Sequence, residues 1–200
     1  MTVKLVGSTS GSVSLQAPAS TTGGAHRVLT LPDVNGTVAT TTTAGKILQV
    51  VQTVKTNRTT IQSQTLTDIT GMSVSITPSS ASNKVLVNYS VMVFSNAMYY
   101  AMRLVRDSDS TIFIGDQNPS ATSQLRASFG SYDSSYVIAD TIAQSFLDSP
   151  NTTSATTYKL QAYSPYSSSY IIGINSGVAL DNYSYMTNGA STITVMEVAA

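Results

Sequence analysis

The chain has 200 residues with one histidine, no cysteine and no tryptophan, and its ten basic and ten acidic residues give a formal net charge of zero. Charged residues make up 10% of it, well below the roughly 25% usual in soluble domains. Such a composition excludes disulfides and thiolate metal sites, lacks the Lys/Arg cluster that a phosphate backbone needs, and leaves little for general acid/base or nucleophilic catalysis.

The histidine, His26, and the one glutamate, Glu197, stand near opposite ends of the chain. A Ser-His-Asp arrangement would need His26, which lies in a polar stretch beside Arg27, and no two carboxylates are marked as a glycosidase-like pair. The expectation is therefore a non-enzyme without a cofactor. No apolar stretch approaches the roughly 20 residues that cross a bilayer, and the start, Met1-Thr-Val-Lys-Leu-Val-Gly-Ser8, has no apolar core of signal-peptide length. Neither nucleic acid nor membrane insertion is expected. So few charges on a lone subunit would leave a hydroxyl-rich surface prone to association, which burial in an assembly relieves.

Residues 1–45 read as a separate segment. Val13, Leu15 and Ala17 alternate with Ser14 and Gln16 up to Pro18; a second run, Val28-Leu29-Thr30-Leu31, ends at Pro32, and Asn35-Gly36 signals a turn. Two such strands cannot build a core alone, so Val13, Leu15, Val28, Leu29 and Leu31 are the expected attachment residues. The tract Thr40–Gly45 reads as a linker.

From Lys46 onward the pattern is β throughout. Strands are expected near 47–56, 59–69, 72–77, 84–95, 98–106, 110–115, 135–147, 156–164, 169–175 and 191–198, with turns at Pro78–Asn83, Asp107–Asp109, Asn118-Pro119, Ser149–Asn151 and Asp181-Asn182. No amphipathic helical spacing is sustained. Turns about every ten residues in an all-β chain predict an antiparallel β-sandwich or jelly-roll head over 46–200, with a small extended N-terminal β segment.

The most informative run is Lys84–Phe94. Val85, Val87, Tyr89, Val91 and Val93 share one face; Leu86, Asn88, Ser90, Met92 and Phe94 share the other. The next strand repeats this, with Tyr100, Met102 and Leu104 on one face. Two readings fit: a central strand covered on both sides within one chain, or a strand whose second face meets other subunits. The low charge favours the second.

Gly7-Ser-Thr-Ser-Gly-Ser-Val-Ser-Leu-Gln-Ala-Pro18 followed by Val28–Pro32 and Asn35–Thr37 resembles a motif of tail-fibre and other virion proteins of bacteriophages, especially those of cyanobacteria and marine bacteria. Lys46–Val51, Val74–Lys84, Ser145–Pro150, Tyr158–Gln161 and Ser191–Val198 look like the C-terminal domain of the same proteins. The resemblance spans nearly the whole chain. It implies a virion structural protein, assembled in the host cytoplasm, with a homotrimeric head similar to tumour-necrosis-factor-like jelly rolls and contacts to other virion proteins. Because this chain lacks a long shaft, a short tail fibre or appendage is expected; a capsid decoration protein is the alternative.

The tyrosines are the functional lead. Tyr132 and Tyr136 fall near a Ser-rich loop, Tyr163, Tyr166 and Tyr170 flank another, and Tyr183 and Tyr185 sit in a third. Tyrosine presents a rigid apolar face and a hydroxyl at small entropic cost, and aromatic rings stack on sugars, so host surface polysaccharide is a natural candidate ligand. The favoured reading is that these rings pack the sandwich edge or the threefold interface, where tyrosine is also enriched. Asp107, Asp109 and Asp116 have the oxygens but not the spacing of a calcium loop.

Overall fold

The computed structural model describes residues 2–6, 12–16, 46–96, 99–106, 127–132, 138–164, 170–176 and 188–200. The chain divides into two units, Met1–Thr43 and Ala44–Ala200. In the first, β1 (Thr2–Val6) and β2 (Ser12–Gln16) form an antiparallel hairpin that registers Val3 with Leu15 and Leu5 with Val13. Strand pairing at Val13 and Leu15 is thus with the start of the chain, whereas the run containing Val28, Leu29 and Leu31 lies outside the described residues.

The second unit contains β3 (Ile47–Lys55), β4 (Thr59–Ile61), β5 (Thr67–Ile76), β6 (Lys84–Ser95), β7 (Tyr99–Arg106), β8 (Phe129–Tyr132), β9 (Ile138–Asp148), β10 (Thr156–Tyr163), β11 (Ile172–Ile174) and β12 (Ser191–Val198). Every pairing is antiparallel, and the described residues include no helix. The long strands pair from the outside in: β3 with β12, β5 with β10, β6 with β9, β7 with β8. The two sheets run β3-β12-β6-β9 and β5-β10-β7-β8, with the short pair β11-β4 continuing beside the second half of β6. This nesting of hairpins across two facing sheets is the jelly roll.

The two inner faces make one core. Ile69, Met72, Val74 and Ile76 of β5, Tyr158 and Leu160 of β10, and Tyr100, Met102 and Leu104 of β7 meet β6, Ile142 of β9, and Ile193 and Val195 of β12. Val85, Val87, Tyr89, Val91, Val93, Tyr100, Met102 and Leu104 are all between 0 and 3% exposed within the single chain. Their burial therefore holds the two sheets together and leaves none of them for contact between copies. Burial pushes the Tyr89 hydroxyl up to about 12, and that hydroxyl donates to Gln144 Oε1.

Two expected strands, 59–69 and 72–77, are redrawn. Between β4 and β5, Ser63 Oγ accepts from the Thr65 amide at 3.1 Å and from Thr67 Oγ1 at 2.8 Å. These local hydroxyl bonds compete with ladder bonds and interrupt the strand. Conversely, Thr67–Ile76 is one strand, because Gly71 at φ +83° makes a bulge opposite Lys159–Gln161 instead of a break. The four-residue β8, Phe129-Gly-Ser-Tyr132, has too little pattern to be expected. The expected strand at 110–115 lies outside the described residues.

Polar knots tie the ends of β12. At one, Glu197 is 1% exposed; its Oε1 accepts from the Ser79 amide (2.7 Å), Ser79 Oγ (2.7 Å) and Asn83 Nδ2 (2.6 Å), and its Oε2 from Gln49 Nε2 (2.6 Å). At the other, Ser191 Oγ donates to Asn175 Oδ1, while Asn175 Nδ2 donates to the carbonyls of Lys55 (2.7 Å) and Asn57 (3.1 Å). Lys55 is itself buried, donating to Asn57 Oδ1 and Thr59 Oγ1, and desolvation lowers its pKa. A third knot bridges the sheets, where Asp148 of β9 accepts from Tyr158 Oη of β10 (2.6 Å) and from Arg106 of β7 (2.9 Å).

Burial alone would raise the Glu197 carboxyl; the bonds from Asn83, Gln49 and Ser79 outweigh it and hold it at about 2. A carboxyl depressed below its unfolded value of about 4.3 contributes stability above that pH and loses it as pH falls through the folded pKa. Urea unfolding should therefore weaken between about pH 5 and pH 2 more steeply in the wild type than in Glu197→Ala. At pH 7, Glu197→Ala should cost at least about 2 kcal/mol, because it leaves buried donors unsatisfied.

Candidate functional site

The period of two puts Tyr99, Ala101, Arg103 and Val105 of β7 on the face of the β5-β10-β7-β8 sheet opposite Tyr100, Met102 and Leu104; Ala101 (0% exposed) and Val105 (1%) are nonetheless covered there, while Tyr99 and Arg103 are half-buried. The ladder registers Tyr99 with Tyr132 of β8, and Ala101 with Gly130 on one side and Tyr163 of β10 on the other. Tyr163, Tyr99 and Tyr132 thus stand around a floor of small residues. A Cβ added to Gly130 would lie 3.4 Å from Tyr99 Oη and 3.6 Å from the ring, in ordinary van der Waals contact, so the Tyr99 ring lies over the neighbouring strand at Gly130. Tyr132 is 65% exposed, and Tyr99 and Tyr163 are half-buried. Partial burial, and secondarily the neighbouring Tyr163, raises the pKa of Tyr99.

A polar strip borders the tyrosines. Arg103 Nε donates to Gln161 Oε1 at 2.8 Å, Gln161 Nε2 to Asp68 Oδ1 at 2.6 Å, and Lys159 Nζ to Asp68 Oδ2 at 2.6 Å. Burial pushes Asp68 up, but the bonds from Lys159 and Gln161 and the charges of Lys159 and Arg103 bring it below its usual value. Burial lowers the Arg103 pKa, against the opposing pull of Asp68. The Lys159–Asp68 pair is solvent-exposed and contributes order more than stability. One flat outer face thus joins aromatic rings with a row of fixed donors and acceptors, the combination that orients a polar ligand carrying apolar faces.

Of the expected tyrosines, the structure brings Tyr132 and Tyr163 together on this face. Tyr170 is half-buried before β11, in the other sheet; Tyr136, Tyr166, Tyr183 and Tyr185 lie outside the described residues, as do His26, Asp107, Asp109 and Asp116. Tyr99 and Gly130 went unexpected. In an adjacent pair such as Tyr99-Tyr100 within a strand, one ring must point outward, and that signal was present in the sequence. Among the described residues no group of three or more His, Cys, Asp or Glu is placed to hold a metal, and no helix is long and apolar enough to cross a membrane.

No protein-family model matches the sequence, and no curated protein matches it. Among solved structures the chain is similar to VP2 of infectious bursal disease virus in a subviral particle, at 11% identity and a TM-score of 0.38, over 86% of this chain and 42% of that one. It is similar to a mutant VP2 of the same virus in derived particles, at 12% identity and a TM-score of 0.34, over 95% and 43%, and to a Gx-strain structure of that virus, at 11% identity and a TM-score of 0.32, over 86% and 47%. The chain spans less than half the length of each.

The exposure order predicts a labelling order. Brief tetranitromethane treatment followed by peptide mass spectrometry should nitrate Tyr132 first and Tyr99 and Tyr163 more slowly. Tyr100 and Tyr158, which are fully buried, should stay unmodified until the protein unfolds.

Proposed function

We propose that this chain is a virion structural protein, a short tail fibre or tail appendage whose homotrimeric jelly-roll head holds host surface polysaccharide on the tyrosine face. The observation that carries the reading is the outward cluster Tyr99, Tyr132 and Tyr163 over Ala101 and Gly130. Pyranose rings present patches of C–H bonds that lie on aromatic faces, while their hydroxyls exchange hydrogen bonds with groups such as Gln161 and Arg103. The action is adhesive, not catalytic. Weak single sites gain strength when three copies engage one polymer. Residues 1–45 serve attachment to the rest of the particle, assembled in the host cytoplasm.

A capsid decoration protein is the second reading, favoured by the uncharged outer face of the other sheet, which suits close packing on a shell. Copy number separates the two: tens or fewer per particle for a tail appendage, hundreds for a capsid component. Tyr99→Ala and Tyr163→Ala should each weaken binding to extracted host polysaccharide about tenfold, which corresponds to about 1.4 kcal/mol. Gly130→Leu should weaken it comparably by filling the floor, with circular dichroism unchanged. Wild-type affinity in all three variants would overturn the polysaccharide reading.

A further inference from the structure

The charges on the tyrosine face are unequally satisfied. Among the described residues its charged side chains are Asp68, Lys159 and Arg103. Both Asp68 oxygens are engaged, Oδ2 by Lys159 and Oδ1 by Gln161, so this acid and this base neutralise one another. Arg103 is held differently. Its Nε donates to a neutral amide, Gln161 Oε1, at 2.8 Å. Among the described residues no carboxylate stands within 4 Å of its guanidinium, and its two terminal nitrogens have no hydrogen-bond partner. Yet Arg103 is half-buried; burial lowers its pKa, and Asp68 pulls on it only through space. A half-buried guanidinium thus carries the one unbalanced charge of the face. It also stands beside the rings. Arg103 follows Ala101 by one step of the strand period, about 7 Å along β7, and Ala101 is in register with Tyr163 on one side and Gly130 on the other.

We propose that the ligand of this face is an acidic polysaccharide, and that Arg103 receives the carboxylate of a sugar whose ring lies against Tyr99 and Tyr163. The inference rests on the polysaccharide reading above and names the chemical class. A sugar on the rings strips water from the neighbouring guanidinium, and a charge desolvated without a partner opposes binding. A neutral sugar returns only hydroxyl acceptors. A carboxylate instead accepts two parallel N–H bonds from the guanidinium fork, each stronger than a neutral bond. Because Gln161 already holds Nε, less side-chain freedom is lost when the ligand binds. A uronic acid carries its carboxylate one bond from the ring, so stacking and ion pairing occur together across the single step from Ala101 to Arg103. The rest of the strip limits the charge it accepts. The Lys159–Asp68 pair is neutral in sum, and beyond it Ser75 and Thr157 bond one another at 2.7 Å. With one unbalanced cation per subunit, the face fits a polymer acidic at one sugar in several, not at every sugar.

The experiment titrates the full chain with extracted host polysaccharide and with the same material after carboxyl reduction, which turns each uronic carboxylate into a primary alcohol and leaves the ring intact. The wild type should bind the reduced polymer about tenfold more weakly, the loss of one charge-assisted pair. Arg103→Gln should lose a comparable factor toward the native polymer and bind both polymers alike. Arg103→Lys keeps the charge but not the fork and should fall between. Tyr99→Ala should weaken binding to both polymers. Equal wild-type affinity for the two overturns the acidic assignment and leaves the polysaccharide reading standing. An Arg103→Gln variant that is folded by circular dichroism and still prefers the native polymer does the same. A wild type that binds neither polymer overturns both readings. Should Arg103→Gln misfold, Arg103→Lys and the wild-type comparison decide.

Discussion

The structure depends on the insertion of its last strand. β12 lies between β3 and β6, so the first sheet is incomplete until residues 191–198 dock between strands that precede them by a hundred residues or more. Each nested pair likewise joins segments distant in sequence. Such non-local pairing must overcome loop-closure entropy before it gains contacts. The two ends of β12 carry the bonds that secure this insertion. Glu197 draws in the Pro78–Asn83 turn and Gln49, and Ser191 joins Asn175, which reaches the Lys55 and Asn57 carbonyls. Removing either tie would loosen β3 as well as β12.

Once closed, the sandwich divides its residues by face. Inner positions are mostly apolar, with tyrosines whose hydroxyls reach partners at the margin, as Tyr158 reaches Asp148, and with Glu197, Ser191, Asp148 and Lys55 at strand ends. The two outer faces then diverge. One carries Asp68, Lys159 and Arg103 beside open tyrosines; the other is an uncharged weave of aliphatic, hydroxyl and amide groups. A polar ligand in exchange with water needs directional groups and rings that stay accessible. A permanent protein contact favours apolar area and polar atoms already satisfied.

Much of the architecture was legible in the sequence because the inner face imposes strict alternation. Val85 to Val93 announces a central strand, and Ile193 and Val195 do the same for the last one. Legibility failed where side chains satisfy backbone groups locally, as at Ser63–Thr67, and where one glycine turns a break into a bulge, as at Gly71. The tyrosine face was half legible. Tyr132 and Tyr163 stood out by composition, but their meeting depends on the β8-β7-β10 register, which brings in Tyr99 and makes Gly130 the floor. No local pattern encodes which strands become neighbours.

The scarcity of charge has a structural counterpart at the buried polar sites. Among the described residues, apart from Glu197, Asp148 and Lys55, the buried polar residues are Asn, Ser and Thr, whose burial avoids the large desolvation penalty of ions. Glu197 is tolerated because donors converge on both its oxygens, and Asp148 because it is bound by Tyr158 and Arg106. A surface meant to remain in water gains solubility from ionic groups. One meant to be covered gains from their absence, since each charge desolvated at an interface must find a partner there. The outer face of the β3-β12-β6-β9 sheet, where Val50, Val54 and Leu147 stand exposed, shares the interior's poverty in charge.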